Sequence, residues 1–182
     1  MNTLFKIIST WYQFKINRFV LVLIVVFTIV TYLSFNPVVI DAYTNIMIDH
    51  RHISKQDDSI GFLSGVNLEE GVFKVVLIIK DKRELIKDFP RGKVFYLDNS
   101  KVLKEMQEKC LFIVTNSDIA TVENRIIVYK NNRTIYESYV VLDDSIQGLQ
   151  NSNDGWVVSQ NANFALYLKQ FKRSFWPIFV KI

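Results

Sequence analysis

Seventeen consecutive residues, Phe19 to Phe35 (FVLVLIVVFTIVTYLSF), carry no charge and no glycine, and nothing more polar than Thr, Ser and Tyr. At about 1.5 Å rise per residue a helix over this stretch is about 26 Å long, close to the roughly 30 Å of bilayer hydrocarbon. Thirteen of the seventeen are Leu, Ile, Val or Phe. Each favours insertion by about 0.3 to 0.6 kcal/mol near a helix centre, a sum of about 4 to 8 kcal/mol. Residues 19–35 are therefore read as a transmembrane helix, with the lipid bilayer as its partner. Pro37 cannot continue a helical hydrogen-bond ladder and restricts Asn36 before it, so the span is predicted to end near Phe35.

Orientation follows from charge. Lys6, Lys15 and Arg18 precede the span, and beyond it the next basic residues are Arg51 and Lys55. The positive-inside tendency places the N-terminus in the cytoplasm and the rest of the chain outside. An uncleaved signal anchor is preferred over a cleaved signal peptide: the apolar run exceeds the usual h-region, and SFNPVVIDA offers no good small-x-small site. Residues 1–18 are read as a cytoplasmic or interfacial segment. Leu4, Ile7, Ile8 and Trp11 fall on helical spacing, which fits either a helix lying on the inner surface or an extension of the span. A docking helix for a cytoplasmic partner is the functional alternative.

Net charge is +4, yet residues 1–40 hold three basic residues and no acid, leaving nineteen basic against eighteen acidic residues beyond them. The excess belongs to the anchor's flank, and the rest of the chain lacks the basic footprint of a nucleic-acid binder. Cys110 is the only cysteine, which excludes an intrachain disulfide and a cysteine-based zinc cluster. A domain outside the cell without paired cysteines suits a bacterial periplasm better than an animal extracellular space.

Residues 36–70 read as a juxtamembrane segment and linker, and 71–182 as one α+β domain with a mainly antiparallel sheet and two or three helices. Short β-branched or aromatic runs at 72–80, 93–98, 110–115 and 125–130 predict strands. RIIVYK, Asn131-Asn132 and RTIYESYVV predict an antiparallel hairpin, because asparagine tolerates the positive φ of a tight turn. Asn99 and Ser100 are N-cap types ahead of a helix over 101–110 that buries Val102, Leu103, Met106 and Cys110. A second helix is expected over about 162–173, with Phe164, Ala165, Leu168 and Phe171 inside and Lys169, Lys172 and Arg173 in its last turns. A weaker helical pattern covers 82–88. The tail SFWPIFVKI reads as a last strand that Pro177 confines to an edge.

No cofactor is implied, and no residue is assigned a catalytic, cofactor-binding or metal role. His50 and His52, with Asp49, Asp57 and Asp58 nearby, would share one face of an extended segment, but no third histidine exists and the one cysteine, Cys110, is far away in sequence; a solvated loop is the plainer reading. Cys110 reads as a small core residue. Asp57-Asp58, Glu69-Glu70 and Asp143-Asp144 are the adjacent acids that carboxylate chemistry would draw on, and adjacent acids are usually turn or surface residues. Thr134 to Leu168 carries Glu137, Asp143, Asp144 and Asp154 without a cation, while Lys169, Lys172, Arg173 and Lys181 follow without an acid. Either the basic, aromatic end (Phe171, Phe175, Trp176, Phe179) faces a partner or a headgroup layer, or the two segments neutralise each other and the aromatics fill the core; the second is preferred.

The sequence thus leads to an expectation of a single-pass inner-membrane protein whose outer domain binds another envelope protein, as an inhibitor, immunity-type or accessory protein. A membrane-associated enzyme acting on lipid or cell-wall substrate is the alternative.

Overall fold

A computed structural model describes residues 2–41, 59–80, 85–115, 123–151 and 155–181. The first element, α1, is one unbroken helix, Asn2–Phe35, so the segment before the apolar run is continuous with the apolar helix. It ends where Pro37 predicts, on a last bond from Asn36 N–H to the Tyr32 carbonyl at 3.0 Å. Side chains from Asn17 to Tyr32 are all exposed. An apolar helix exposed around its whole circumference is at odds with water. The hydroxyls of Thr28 and Ser34 donate back to the carbonyls of Ile24 and Thr31 at 2.8 Å, which suits a medium that offers polar groups nothing. A single N-terminal apolar helix of this kind is consistent with a transmembrane or signal anchor.

The remaining elements are β1 (Val38–Asp41), β2 (Ser59–Gly61), β3 (Phe73–Ile78), β4 (Val94–Leu97), α2 (Ser100–Lys109), β5 (Leu111–Thr115), β6 (Arg125–Lys130), β7 (Arg133–Leu142), β8 (Gln147–Asn151), β9 (Gly155–Ser159), α3 (Asn163–Leu168), β10 (Lys172–Arg173) and β11 (Ile178–Lys181). Nine strands form one sheet in the order β10-β4-β3-β6-β7-β8-β9-β5-β2, with every neighbouring pair antiparallel. With two helices beyond α1 among the described residues, the domain is α+β. The chain leaves β4 near one end of the sheet and re-enters as β5 near the other, and it returns from β9 to β10; α2 and α3 are those two crossings. They lie against each other on the same face.

Local chemistry explains the elements. The Asn99 side chain accepts from the amides of Lys101 and Val102, capping α2 as its position predicts. Asn131 and Asn132 have φ of 51° and 63°, the left-handed pair that closes a two-residue hairpin between β6 and β7. Register shifts between Val128 and Tyr129, which is why strict alternation fails to carry through the hairpin sequence. The third helix is shorter than expected. It stops at Leu168, and turn bonds from Gln170 and Phe171 to Tyr167 and Leu168 swing Phe171 into the core and Lys172–Arg173 onto the edge of β4. The weak helical pattern at 82–88 is not helix at its described end: Leu85 bridges Leu142 and Asp88 has φ of 63°; residues 81–84 lie outside the described residues. Within residues 36–70, the segment includes β1 and β2 and the buried side chains of Ile60, Phe62, Leu63 and Leu68.

Strand alternation divides the core. Val75, Leu77, Phe95, Leu97, Ile126, Val128, Val140, Leu142, Leu149 and Val157 face α2 and α3, together with Phe62, Phe112 and Phe164. The ring centroids of Phe112 and Phe164 are 5.1 Å apart in an edge-on contact. Val76, Ile78, Val94, Ile127 and Tyr129 face the other way and form a second, smaller core. That core is closed by a separate two-stranded sheet, β1 paired parallel with β11.

Candidate functional site at the helix end of the domain

The β1–β11 ribbon acts as a strap joining α1 to the sheet. Its near end is set by the chain itself: β1 starts three residues after the last residue of α1, and Val38 N–H donates to the Pro177 carbonyl at 2.9 Å just before β11 begins. Val39 and Phe179, register partners, point inward onto Val76, Ile78, Val94, Tyr96, Ile127 and Tyr129. The far end reaches β6 and β7. Lys181 Nζ lies 2.6 and 2.8 Å from the two carboxylate oxygens of Glu137, and Arg125 lies 3.4 Å from Glu137 and 3.7 Å from Asp41. The strap therefore crosses the strands, from the β10–β4 edge to the middle of the sheet, and ends in a charge-balanced cluster of Asp41, Arg125, Glu137 and Lys181. Beneath it, burial pushes the Tyr129 phenol up to about 12.

The strap's outer face is different. Val38 pairs with Ile178 and Ile40 with Val180, and all four side chains are about half exposed. Among the described residues neither strand has a second neighbour, so each also presents an unpaired edge. Beside the near end, Arg173 lies over the rings of Phe35 and Phe175, at 4.0 and 4.1 Å from their centroids. Phe175 and its neighbour Trp176 are 63% and 77% exposed.

Other residues raised by the sequence are dispersed. Cys110 is fully buried, and burial pushes its thiol up to about 12, so it is held as an unreactive thiol at the join of α2 and β5. Asp143 accepts from Ser145, which holds its carboxyl below the usual range; Asp144 accepts from the Lys87 amide. Glu69 pairs with Lys104 and Glu70 is exposed. These acids serve turns and surface pairs. His50, His52, Asp49, Asp57, Asp58 and Asp154 lie outside the described residues. Among the described residues no three His, Cys, Asp or Glu side chains come together to hold a metal.

The basic, aromatic tail divides between the two alternatives drawn from its sequence. Lys181 is neutralised by Glu137 from the acidic segment, Lys172 by Asp98, and Phe171 is core; Phe175 and Trp176 stay outside. Sequence reasoning missed the strap's partnership, although a signal was present: Pro-Val-Val-Ile-Asp at 37–41 and Pro-Ile-Phe-Val-Lys at 177–181 match position by position and end in opposite charges. The chain matches no protein-family model, no curated protein and no solved structure.

Proposed function

We propose that this chain is a single-pass protein of a bacterial inner membrane, its N-terminus cytoplasmic and its α+β domain periplasmic, and that the domain binds another envelope protein through the outer face of the strap. The positive charge of Lys6, Lys15 and Arg18, in the part of α1 that precedes the apolar run, supports the orientation, and the absence of paired cysteines supports the compartment. The binding reading rests on one observation: four β-branched side chains in two cross-strand pairs, half exposed, on a ribbon whose outer edges have no strand partner among the described residues. Exposed apolar patches of that kind mark interaction surfaces, and a free edge offers main-chain hydrogen bonds to an added strand. The charge cluster under the far end keeps the ribbon in place without a partner, so a ligand meets a preformed surface.

Site-specific photo-crosslinking in intact cells tests this. A crosslinking residue at Ile40 or Val180 is expected to capture one discrete protein partner, and Ile178→Asp is expected to abolish the product. A crosslinker at Leu166, an exposed apolar residue on α3, is the control for non-specific capture. Crosslinks only to lipid, or the same products from Leu166, would overturn the reading.

A further inference from the structure

We propose that Phe175 and Trp176 are seated in the lipid headgroup layer of the bilayer that α1 enters, so that the membrane surface as well as the helix orients the domain. The inference rests on α1 being a membrane anchor and is independent of any protein partner. Position comes first. Trp176 adjoins Pro177, whose carbonyl is bonded to Val38, and Val38 is three residues past the end of α1. Three residues reach at most about 11 Å. The headgroup region adds roughly 5 to 8 Å on each side of the hydrocarbon. That reach is an upper limit, and the tip between β10 and β11 is held closer by Arg173, which lies 4.0 and 4.1 Å from the ring centroids of Phe35, at the helix end, and Phe175, at the tip.

Chemistry agrees with position. Phe62, Phe73, Phe95, Phe112, Phe164 and Trp156 are all buried, whereas the adjacent Phe175 and Trp176 are left mostly in the open. Two large neighbouring aromatics in water are costly, and the membrane interface is where an indole is favoured, its ring among acyl carbons and its N–H in the hydrated layer. Arg173 supplies the third component. Its guanidinium stacks between Phe35, the last residue of α1, and Phe175, which places a cation level with the helix end, where lipid phosphates lie. Arg173 is itself held: one NH1 bond goes to the Arg91 carbonyl at 3.3 Å, and its stem fills the space over Gly92, where a Cβ would lie 2.7 Å from Arg173 Cδ. The aromatic tip is thus built onto the end of the anchor.

The test uses the full chain in phosphatidylethanolamine–phosphatidylglycerol vesicles, with Trp11→Phe and Trp156→Phe so that Trp176 is the reporting indole. Emission is expected to be blue-shifted and to lose intensity more strongly with lipids brominated near the headgroup than with lipids brominated at mid-chain. Water-like emission with no loss to either lipid would overturn the seat. So would blue-shifted emission that neither lipid quenches, which would mean that protein or a second copy covers the ring. Should Trp156→Phe fail to fold, a nitroxide at Trp176→Cys, with Cys110 buried and unreactive, reads the same depth from its collisions with oxygen against a water-soluble nickel chelate. Equal access to the chelate at this site and at a label on Leu166→Cys would overturn the seat. Flotation separates the two levels: a chain that fails to float with the vesicles overturns anchor and seat together, whereas a floating chain with an unquenched Trp176 overturns the seat alone.

Discussion

Lys181, on the last strand, places its ammonium 2.6 Å from a carboxylate oxygen of Glu137 on the central strand β7, and this pair fastens the far end of the strap to the sheet. Both side chains are largely buried, where removing one charge leaves the other poorly solvated. Lys181→Ala is expected to cost about 1 to 3 kcal/mol in urea unfolding of the full chain in detergent. A double-mutant cycle with Glu137→Gln checks it: coupling indistinguishable from zero would show that the pair does not hold the strap.

The β6–β7 turn makes a sharper distinction. Asn132 has φ of 63° and serves the turn through backbone conformation, so Asn132→Gly should be neutral or stabilising by up to about 1 kcal/mol. Asn131 has an added role, since its Oδ1 accepts from the Val72 amide at 2.9 Å. Asn131→Gly should therefore cost about 0.5 to 1.5 kcal/mol despite its easy φ. Thermal unfolding of the two variants side by side reads the difference; equal effects would remove the assigned role of the Val72 bond.

Gly148 on β8 admits no side chain. A Cβ there would come within 2.5 Å of the Val157 carbonyl oxygen on β9, and backbone cannot yield without parting the two strands. Gly148→Ala is expected to destabilise by about 1 to 3 kcal/mol. Hydrogen exchange should locate the loss in β8 and β9, and an unchanged exchange pattern there would count against the contact.

Alkaline pH should weaken the fold. Cys110 and Tyr129 are raised by burial from ordinary values of 9.0 and 10.0 to about 12. Folded molecules therefore hold more protons than unfolded ones in that window. The stability contributed by the neutral forms is complete below it and falls as pH rises through it, by up to about 1.4 kcal/mol per pH unit for each group. The urea midpoint should decline from about pH 9 towards about pH 12, and Cys110→Ala should flatten part of the decline. A flat midpoint in the parent chain would mean that neither group titrates on unfolding.

Much of this architecture is written locally. Residues 19–35 declare an apolar helix by composition, Pro37 its end, Asn99 the start of α2, and Asn131-Asn132 the hairpin, because each depends on residues within a turn or two along the chain. Strands β3 to β6 are legible for the same reason, as concentrated β-branched runs. What only the tertiary structure decided is pairing at a distance. Lys172–Arg173 carries the charge pattern of a helix end, but antiparallel bonds to β4 outweigh a single further turn of helix. Phe171 and Trp176 look alike in sequence; the first is drawn into the core and the second is left outside by a turn that follows Leu168. The strap is the clearest case, for Val38–Asp41 and Ile178–Lys181 are separated by almost the whole domain. Four-residue strands have no stability alone. They exist because each supplies the other's hydrogen bonds and together they cover an apolar face of the sheet, a relation that no local stretch of sequence contains.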